Sequence, residues 1–247
     1  MFLHHFYPQD AWYLEQAARL EATRTVFPQG GLESVGTERP MKEEDIVVCQ
    51  LDDIHRFWFG ADASPEEIEP ARIEFWMLQN EETDRRVREQ FGHVLEPAAG
   101  IEWQPETLSR EQAVALVVLF DQFPRNMFRT TGQAFAYDPL ARGLARRITA
   151  DGCDRFSASE RFMLGLPFVH HEDEADQDYA VLLAADEALK APASMKDIAR
   201  ISLDQAIRHR DVIRRFGRFP HRNAMLGRES TPEELDFLAT ALRGRGF

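Results

Sequence analysis

The sequence predicts an all-α protein built from stacked antiparallel helix pairs. Helix start signals recur: Ser64 and Thr231 each precede a proline and two glutamates, which is typical of a capped first turn. Ser157 with Glu160 forms another capping box, and apolar residues recur at helical spacing. Only the short stretch 46–49 is ambiguous between helix and strand. These observations predict about 8–10 helices in a tetratricopeptide-like superhelix.

We predict two regions along the chain. Residues 1–45 are expected to form an N-terminal appendage and linker, with one amphipathic helix over 11–23. Residues 46–247 are expected to form a single all-α domain. Its helical segments cover 51–58, 72–91, 108–122, 176–189 and 195–216, with a further helix opening at Asp138-Pro139. The segment 108–122 is expected at the centre, because residues 114–120 are apolar on every side.

Composition excludes several classes of function. The 247 residues carry a formal net charge of −13, which argues against binding nucleic acid or an anionic membrane. Cys49 and Cys153 are far apart and lack metal-ligand spacing, so a disulfide framework is not expected. No apolar run is long enough to span a bilayer, and no secretory signal opens the chain. We therefore expect a cytoplasmic protein.

Two similar passages suggest where a ligand could bind. Phe123-Pro124-Arg125-Asn126 and Phe219-Pro220-His221-Arg222-Asn223 each follow an amphipathic segment. We predict that each proline stops its helix and presents an arginine and an asparagine, and we call these passages the first and second corner. Arginine binds carboxylate or phosphate bidentately, so two corners around one pocket predict an anion site. Alternatively, Asp121 forms a structural ion pair with Arg125 or Arg129.

Histidines near both corners suggest acid–base chemistry. His170 and Glu172 follow an apolar segment and could form a proton-transfer pair or bind a metal, although acids here also suit the next helix start. His209 lies with Gln205 on an apolar helix stripe, where a histidine bonded within the core is the alternative. No HExxH, Cys/His quartet, Gly-x-Ser-x-Gly or phosphate-loop pattern occurs, so neither a metal nor a cofactor is predicted.

Several of these passages resemble a bacterial family known as domain of unknown function 924. The matching pieces are Phe57–Gly60, Asp121–Asn126 with Arg129, Ala134–Ala136 with Asp138, Leu166–Phe168 with His170 and Glu172, Gln177, and Arg214 through Arg228. The resemblance covers residues 51 to the C-terminus and implies a tetratricopeptide-like helical fold. It implies no activity. This chain has His171 where the family usually has serine.

The sequence therefore predicts a polar pocket that binds a small anionic ligand. Arg125 and Arg222 would clamp the anion, and His170, His209 or His221 would transfer protons with Glu172 as the orienting group. The predicted binding residues are Asp121, Gln122, Arg125, Asn126, Arg129, Gln177, Arg218, Arg222 and Asn223. One alternative is a helical-repeat groove that captures a peptide carboxylate. Another is a purely architectural network of charged side chains.

Overall fold

The computed structural model describes residues 43–60 and 68–242, and within these ranges it contains nine α-helices and no strand. The all-α prediction and the predicted number of helices are therefore confirmed for the described chain. The helices are α1 Glu43–Phe59, α2 Pro70–Met77, α3 Glu81–Ala99, α4 Arg110–Met127, α5 Asp138–Thr149, α6 Ala158–Val169, α7 Glu174–Lys190, α8 Lys196–Phe216 and α9 Pro232–Leu242. Short 3-10 turns cover Pro105–Thr107, Gly132–Phe135, Ala193–Met195 and Pro220–Arg222.

The helices differ from the sequence predictions in a few places. The stretch 46–49 is helical, and the single segment expected over 72–91 is two helices. The break falls before Asn80, whose side chain accepts hydrogen bonds from the backbone of Glu82 and Thr83. The predicted helix over 11–23 and the helix start at Ser64 lie outside the described residues. The superhelical arrangement stays a prediction.

Helix α4 is the centre of the core, as predicted. It contacts α1, α3, α5 and α6, and residues 113–120 are all buried. Ser109 and Gln112 form a reciprocal capping box at its start. No helix in the described ranges, α4 included, is long and apolar enough to cross a membrane.

Pro97, Pro124 and Pro167 lie inside helices rather than ending them. Pro124 is followed by further helical residues to Met127, and Pro167 is followed by helix to Val169. The prediction that Pro124 stops its helix is therefore wrong. A proline this close to a helix end removes only one hydrogen bond, and the packing of Phe123 and Met127 in the core compensates. Pro220 does not stop its helix either, because α8 ends at Phe216 with Gly217 as a left-handed cap, and Pro220 opens a separate 3-10 turn.

Helices α6, α7 and α8 form an antiparallel layer. Arg161 at the start of α6 binds Glu187 at the end of α7. Lys196 at the start of α8 donates to the carbonyl of Ala188 at 2.9 Å, and Arg214 near its end binds Asp178 at 2.7 Å. Consequently the C-terminal ends of α6 and α8 lie on the same side of the layer.

We predict that the buried surface of α4 carries much of the stability. Leu116 is fully buried, whereas Leu189 is 81% exposed. Leu116→Ala should lower the free energy of unfolding by about 2–5 kcal/mol, because it deletes buried methyl groups and leaves a cavity. The matched change Leu189→Ala should alter it by no more than about 0.5 kcal/mol. Urea unfolding of both variants measures the difference, and equal effects would contradict the central position of α4.

Candidate functional site

The two corners and the histidine segment meet in the structure. Arg222 donates from Nη1 to the backbone carbonyl of His170 at 2.8 Å. Its guanidinium lies 4.6 Å from the ring centroid of Phe135 and 4.5 Å from that of Phe219. Arg125 of the first corner faces the same Phe135 ring at 5.6 Å. The ring of Phe135 thus lies between the arginines of the two corners, and Arg222 connects them to the histidine segment.

His170 is paired with Asp121. Its Nδ1 lies 2.9 Å and 3.0 Å from the two carboxylate oxygens of Asp121, whose side chain is 1% exposed. Gln122 donates to the same carboxylate at 2.5 Å, and Arg125 Nη1 lies 3.5 Å from it. Asp121 lies here because it continues the buried face of α4. His170 lies here because it is the C-cap of α6.

The charge state of this pair follows from its surroundings. Burial alone would raise the pKa of Asp121, but His170, Arg125 and the Gln122 amide together hold this pKa at about 2. Burial, and then the charge of Arg125, lower the pKa of His170 below its usual value despite the neighbouring carboxylate. A carboxylate only accepts hydrogen bonds, so the neutral imidazole carries its proton on Nδ1. Its Nε2, for which the described residues provide no partner, therefore offers a lone pair.

Glu172 does not orient His170, which corrects the predicted pairing. Its carboxylate binds Arg228 at 2.6 Å and 2.9 Å and accepts the backbone N–H of Phe219 at 2.8 Å. Burial would raise the pKa of Glu172, but these bonds to Arg228 and Phe219 lower it. Glu172 therefore fastens the second corner to the end of α6.

The arginines of the first corner already hold carboxylates. Arg125 binds Asp138 bidentately, with Nη1 and Nη2 at 2.7 Å and 2.9 Å from its oxygens. Arg129 binds Asp84, which also accepts from the amide of Asn126 at 2.8 Å. Neither guanidinium is therefore an empty clamp of the kind that the sequence suggested.

A cavity of about 600 Å³ lies beside this network. Helices α6, α7 and α8 supply most of its walls, together with residues of α2 and α4. Six of the predicted site residues line it: Gln122, Arg125, Asn126, Arg129, His170 and His209. Its volume is in the range of pockets that enclose small organic molecules, roughly 300–1,000 Å³.

His209 presents a second imidazole to this cavity. Its Nδ1 donates to the carbonyl of Gln205 at 2.8 Å, one helical turn earlier on α8. Burial lowers its pKa to about 4, with the hydrogen bond to Gln205 only partly opposing this effect. At neutral pH its Nε2 is therefore also an unprotonated acceptor.

The remaining predicted residues lie outside the cavity. Arg218 binds Glu234 at 2.7 Å, and the Asn223 amide donates to Ser230 and Glu234. Arg222 is buried between the rings of Phe135 and Phe219, and His221 is exposed. Gln177 donates to three carbonyls at the end of α6, those of Phe168, Val169 and His171. These side chains connect elements, so the architectural interpretation describes the second corner well.

Sequence reasoning missed several residues that shape the site. It did not predict the ion pairs Arg129–Asp84, Arg125–Asp138 and Glu172–Arg228. The two members of each pair are distant from each other along the chain. The cavity walls were also missed. Ser202 and Gln205, polar residues on the apolar stripe of α8, were the available signal, and both line the cavity.

One group of side chains has the composition of a metal site. Potential ligand atoms of His171, Asp173 and Asp176 lie within 4.8 Å of one another. However, Asp176 already binds Arg146 and lies 3.5 Å from Arg142, while Asp173 caps α7. A cation would compete with two guanidinium groups, so this cluster fits a helix-start network better than a metal centre.

We predict that His209 makes stability depend on pH. Its folded pKa of about 4 lies below the usual 6.5, so the unfolded chain binds more protons between these values. The free energy of unfolding should therefore fall as the pH falls from 6.5 towards 4, and His209 should account for about 2 kcal/mol of this loss at pH 5. Urea unfolding at pH 7 and pH 5 should show a smaller loss for His209→Phe.

The control for that experiment is His93→Phe, which changes an exposed histidine on α3. This variant should keep the pH dependence of the unaltered protein. If His209→Phe loses as much stability on acidification as His93→Phe does, the imidazole of His209 is not buried in its neutral form.

Comparisons with known proteins agree with the sequence resemblance. Residues 54–241 match the family described as "Bacterial protein of unknown function (DUF924)". The solved structure of a protein of unknown function, ATU0120 from Agrobacterium tumefaciens, is similar, with a TM-score of 0.64 and 35% sequence identity. The similarity covers 78% of this chain and 98% of that one. A search of curated proteins found no match. The chain thus belongs to the bacterial family of unknown function DUF924.

Proposed function

We propose that this protein binds a small anionic ligand in the cavity and exchanges a proton with it through His170. The observation that carries the proposal is the His170–Asp121 pair at the cavity wall. The carboxylate fixes the proton on Nδ1 and leaves the Nε2 lone pair for a ligand. This is how a buried carboxylate prepares a histidine for general acid–base catalysis.

Anion binding and protonation of His170 support each other. An arriving carboxylate or phosphate oxygen would face the Nε2 lone pair, so binding favours uptake of a proton there. The Asp121 carboxylate, 2.9 Å away, would stabilise the resulting imidazolium. Arg125 opposes this protonation in the free protein, and the negative charge of the ligand would offset that effect. His209 remains neutral, so the proton that meets the ligand is the one on His170.

Arg125 and Arg129 would act as part of a fixed polar wall. Each already holds a carboxylate, Asp138 and Asp84 respectively, so their charges are largely balanced. The charge that attracts the ligand would therefore come mainly from the proton on His170. This assignment differs from the arginine clamp expected from the sequence, but it keeps the same class of ligand.

Acetate and inorganic phosphate provide a direct test. The pKa of His170 should rise by at least about one unit on saturation with either anion, because the bound charge stabilises the imidazolium. Nuclear magnetic resonance of the imidazole signals measures this change, and the variant His170→Gln identifies the signal. His221, which is exposed and outside the cavity, serves as the internal control. Absence of binding, or binding that leaves the His170 pKa unchanged, contradicts the proposal.

The role of Asp121 can be tested separately. The variant Asp121→Asn keeps the shape of the side chain and removes the charge that favours the imidazolium. We expect it to lower the pKa of His170 further, and to reduce the rise caused by acetate. An unchanged His170 pKa in this variant would mean that the carboxylate does not control the imidazole.

A further inference from the structure

We infer that the ligand of this cavity is an amphipathic monocarboxylate, with its carboxylate at His170 and an apolar chain extending between α6, α7 and α8. This inference rests on the proposed function and adds the chemical class of the ligand. It follows from the shape of the cavity, the distribution of apolar and polar side chains along it, and its charge.

The cavity is elongated along the helices. On α6 it is lined by residues from Ala158 to His170, a span of roughly 18 Å at the rise of an α-helix. On α8 it is lined by residues from Ile198 to His209, which is roughly 16 Å by the same measure. Because α6 and α8 run in the same direction, these two walls extend side by side.

Two histidines mark one end of this length. His170 and His209 are both at the C-terminal ends of the two lined segments, next to Gln122 and Asn126 of α4. Between the two ends the walls are mostly apolar, formed by Trp76, Phe162, Leu166, Leu183, Met195 and Ile198, and at the far end the lining includes Asp186 and the ion pair Arg161–Glu187. The rings of Trp76 and Phe162 are stacked, with centroids 6.0 Å apart. A hydrophobic chain would gain free energy by leaving water for this surface.

The charge at the histidine end favours a single negative charge. With His170 protonated, the positive charges of three side chains are matched by three carboxylates, in the pairs Arg125–Asp138, Arg129–Asp84 and His170–Asp121. The buried guanidinium of Arg222 bonds to the backbone carbonyl of His170 and to no carboxylate among the described residues, so one positive charge remains for the ligand. A carboxylate matches this charge, whereas a phosphate dianion would keep one charge unbalanced away from water.

Gly165 leaves room for the chain. It lies in the middle of α6 and lines the cavity, and a Cβ placed on it would meet no atom within 4 Å. A glycine inside a helix costs roughly 0.5–1 kcal/mol relative to alanine. A larger side chain at this position would therefore suit the helix and would occupy the space that we assign to the ligand.

The first measurement compares carboxylates of increasing length with the full chain. Calorimetric titration with acetate, butanoate, hexanoate and octanoate should give an affinity that rises about 4-fold per added methylene while the chain still contacts apolar wall. Octanol, which lacks the charge, and octyl phosphate, which carries more of it, should both bind more weakly than octanoate by about tenfold or more.

The second measurement blocks the apolar part of the cavity. Gly165→Leu should weaken octanoate binding by about tenfold or more and change acetate binding by less than about twofold. The matched control is Gly143→Leu on α5, since Gly143 is exposed, lies outside the cavity and also has open space at its Cβ. Leucine suits a helix better than glycine, so neither variant should lose stability.

The outcomes separate the two proposals. If acetate and phosphate shift the His170 pKa but added methylenes bring no affinity, the proposed function stands and the inference of an apolar chain is wrong. If octyl phosphate binds more tightly than octanoate, the inference of a monocarboxylate is wrong. If Gly165→Leu and Gly143→Leu change octanoate binding alike, the inferred position of the apolar chain is wrong. If none of these anions binds, both proposals fail.

Discussion

The structure around the site depends on one constraint, the burial of the Asp121 carboxylate at the end of an apolar helix. An ionised group at 1% exposure is costly unless opposite charge and hydrogen bonds compensate it. His170, Gln122 and Arg125 supply that compensation, and each must be held in place. The end of α6 is therefore fixed against α4, and Arg222 of the second corner is fixed in turn through the carbonyl of His170.

Most of the charged side chains near Asp121 are bound to each other rather than directed at a ligand. The pairs Arg125–Asp138, Arg129–Asp84 and Glu172–Arg228 neutralise one another and connect distant segments. Such pairs keep desolvation costs low, but they also use up the guanidinium groups that the sequence made attractive as anion binders. Within the described residues the Nε2 lone pairs of His170 and His209 remain without a partner, and for this reason we propose proton exchange rather than arginine clamping.

Local patterns predicted the helices well, because capping residues and apolar spacing act within a few residues. The buried helix α4, the box at Ser157 and the apolar stripe of α8 follow directly from such patterns. The partner of His170 did not follow from a local pattern, because Asp121 lies 49 positions away and the nearby Glu172 was the more obvious choice. Pro124 was misjudged for a related reason, because the packing around α4 outweighs the local preference of proline to end a helix.

The sequence indicates the cavity only weakly, through the polar residues that lie on the apolar stripe of α8. A stripe meant only for the core would be apolar throughout, yet Ser202, Gln205 and His209 interrupt it between Ile198 and Val212. In the described part of the chain these residues line the cavity. Gly165 on α6 faces the same space, although a larger residue would stabilise that helix. Polar residues within an apolar stripe, and missing side-chain volume on α6, favour the binding site that we propose, because a core of the same helices would be filled.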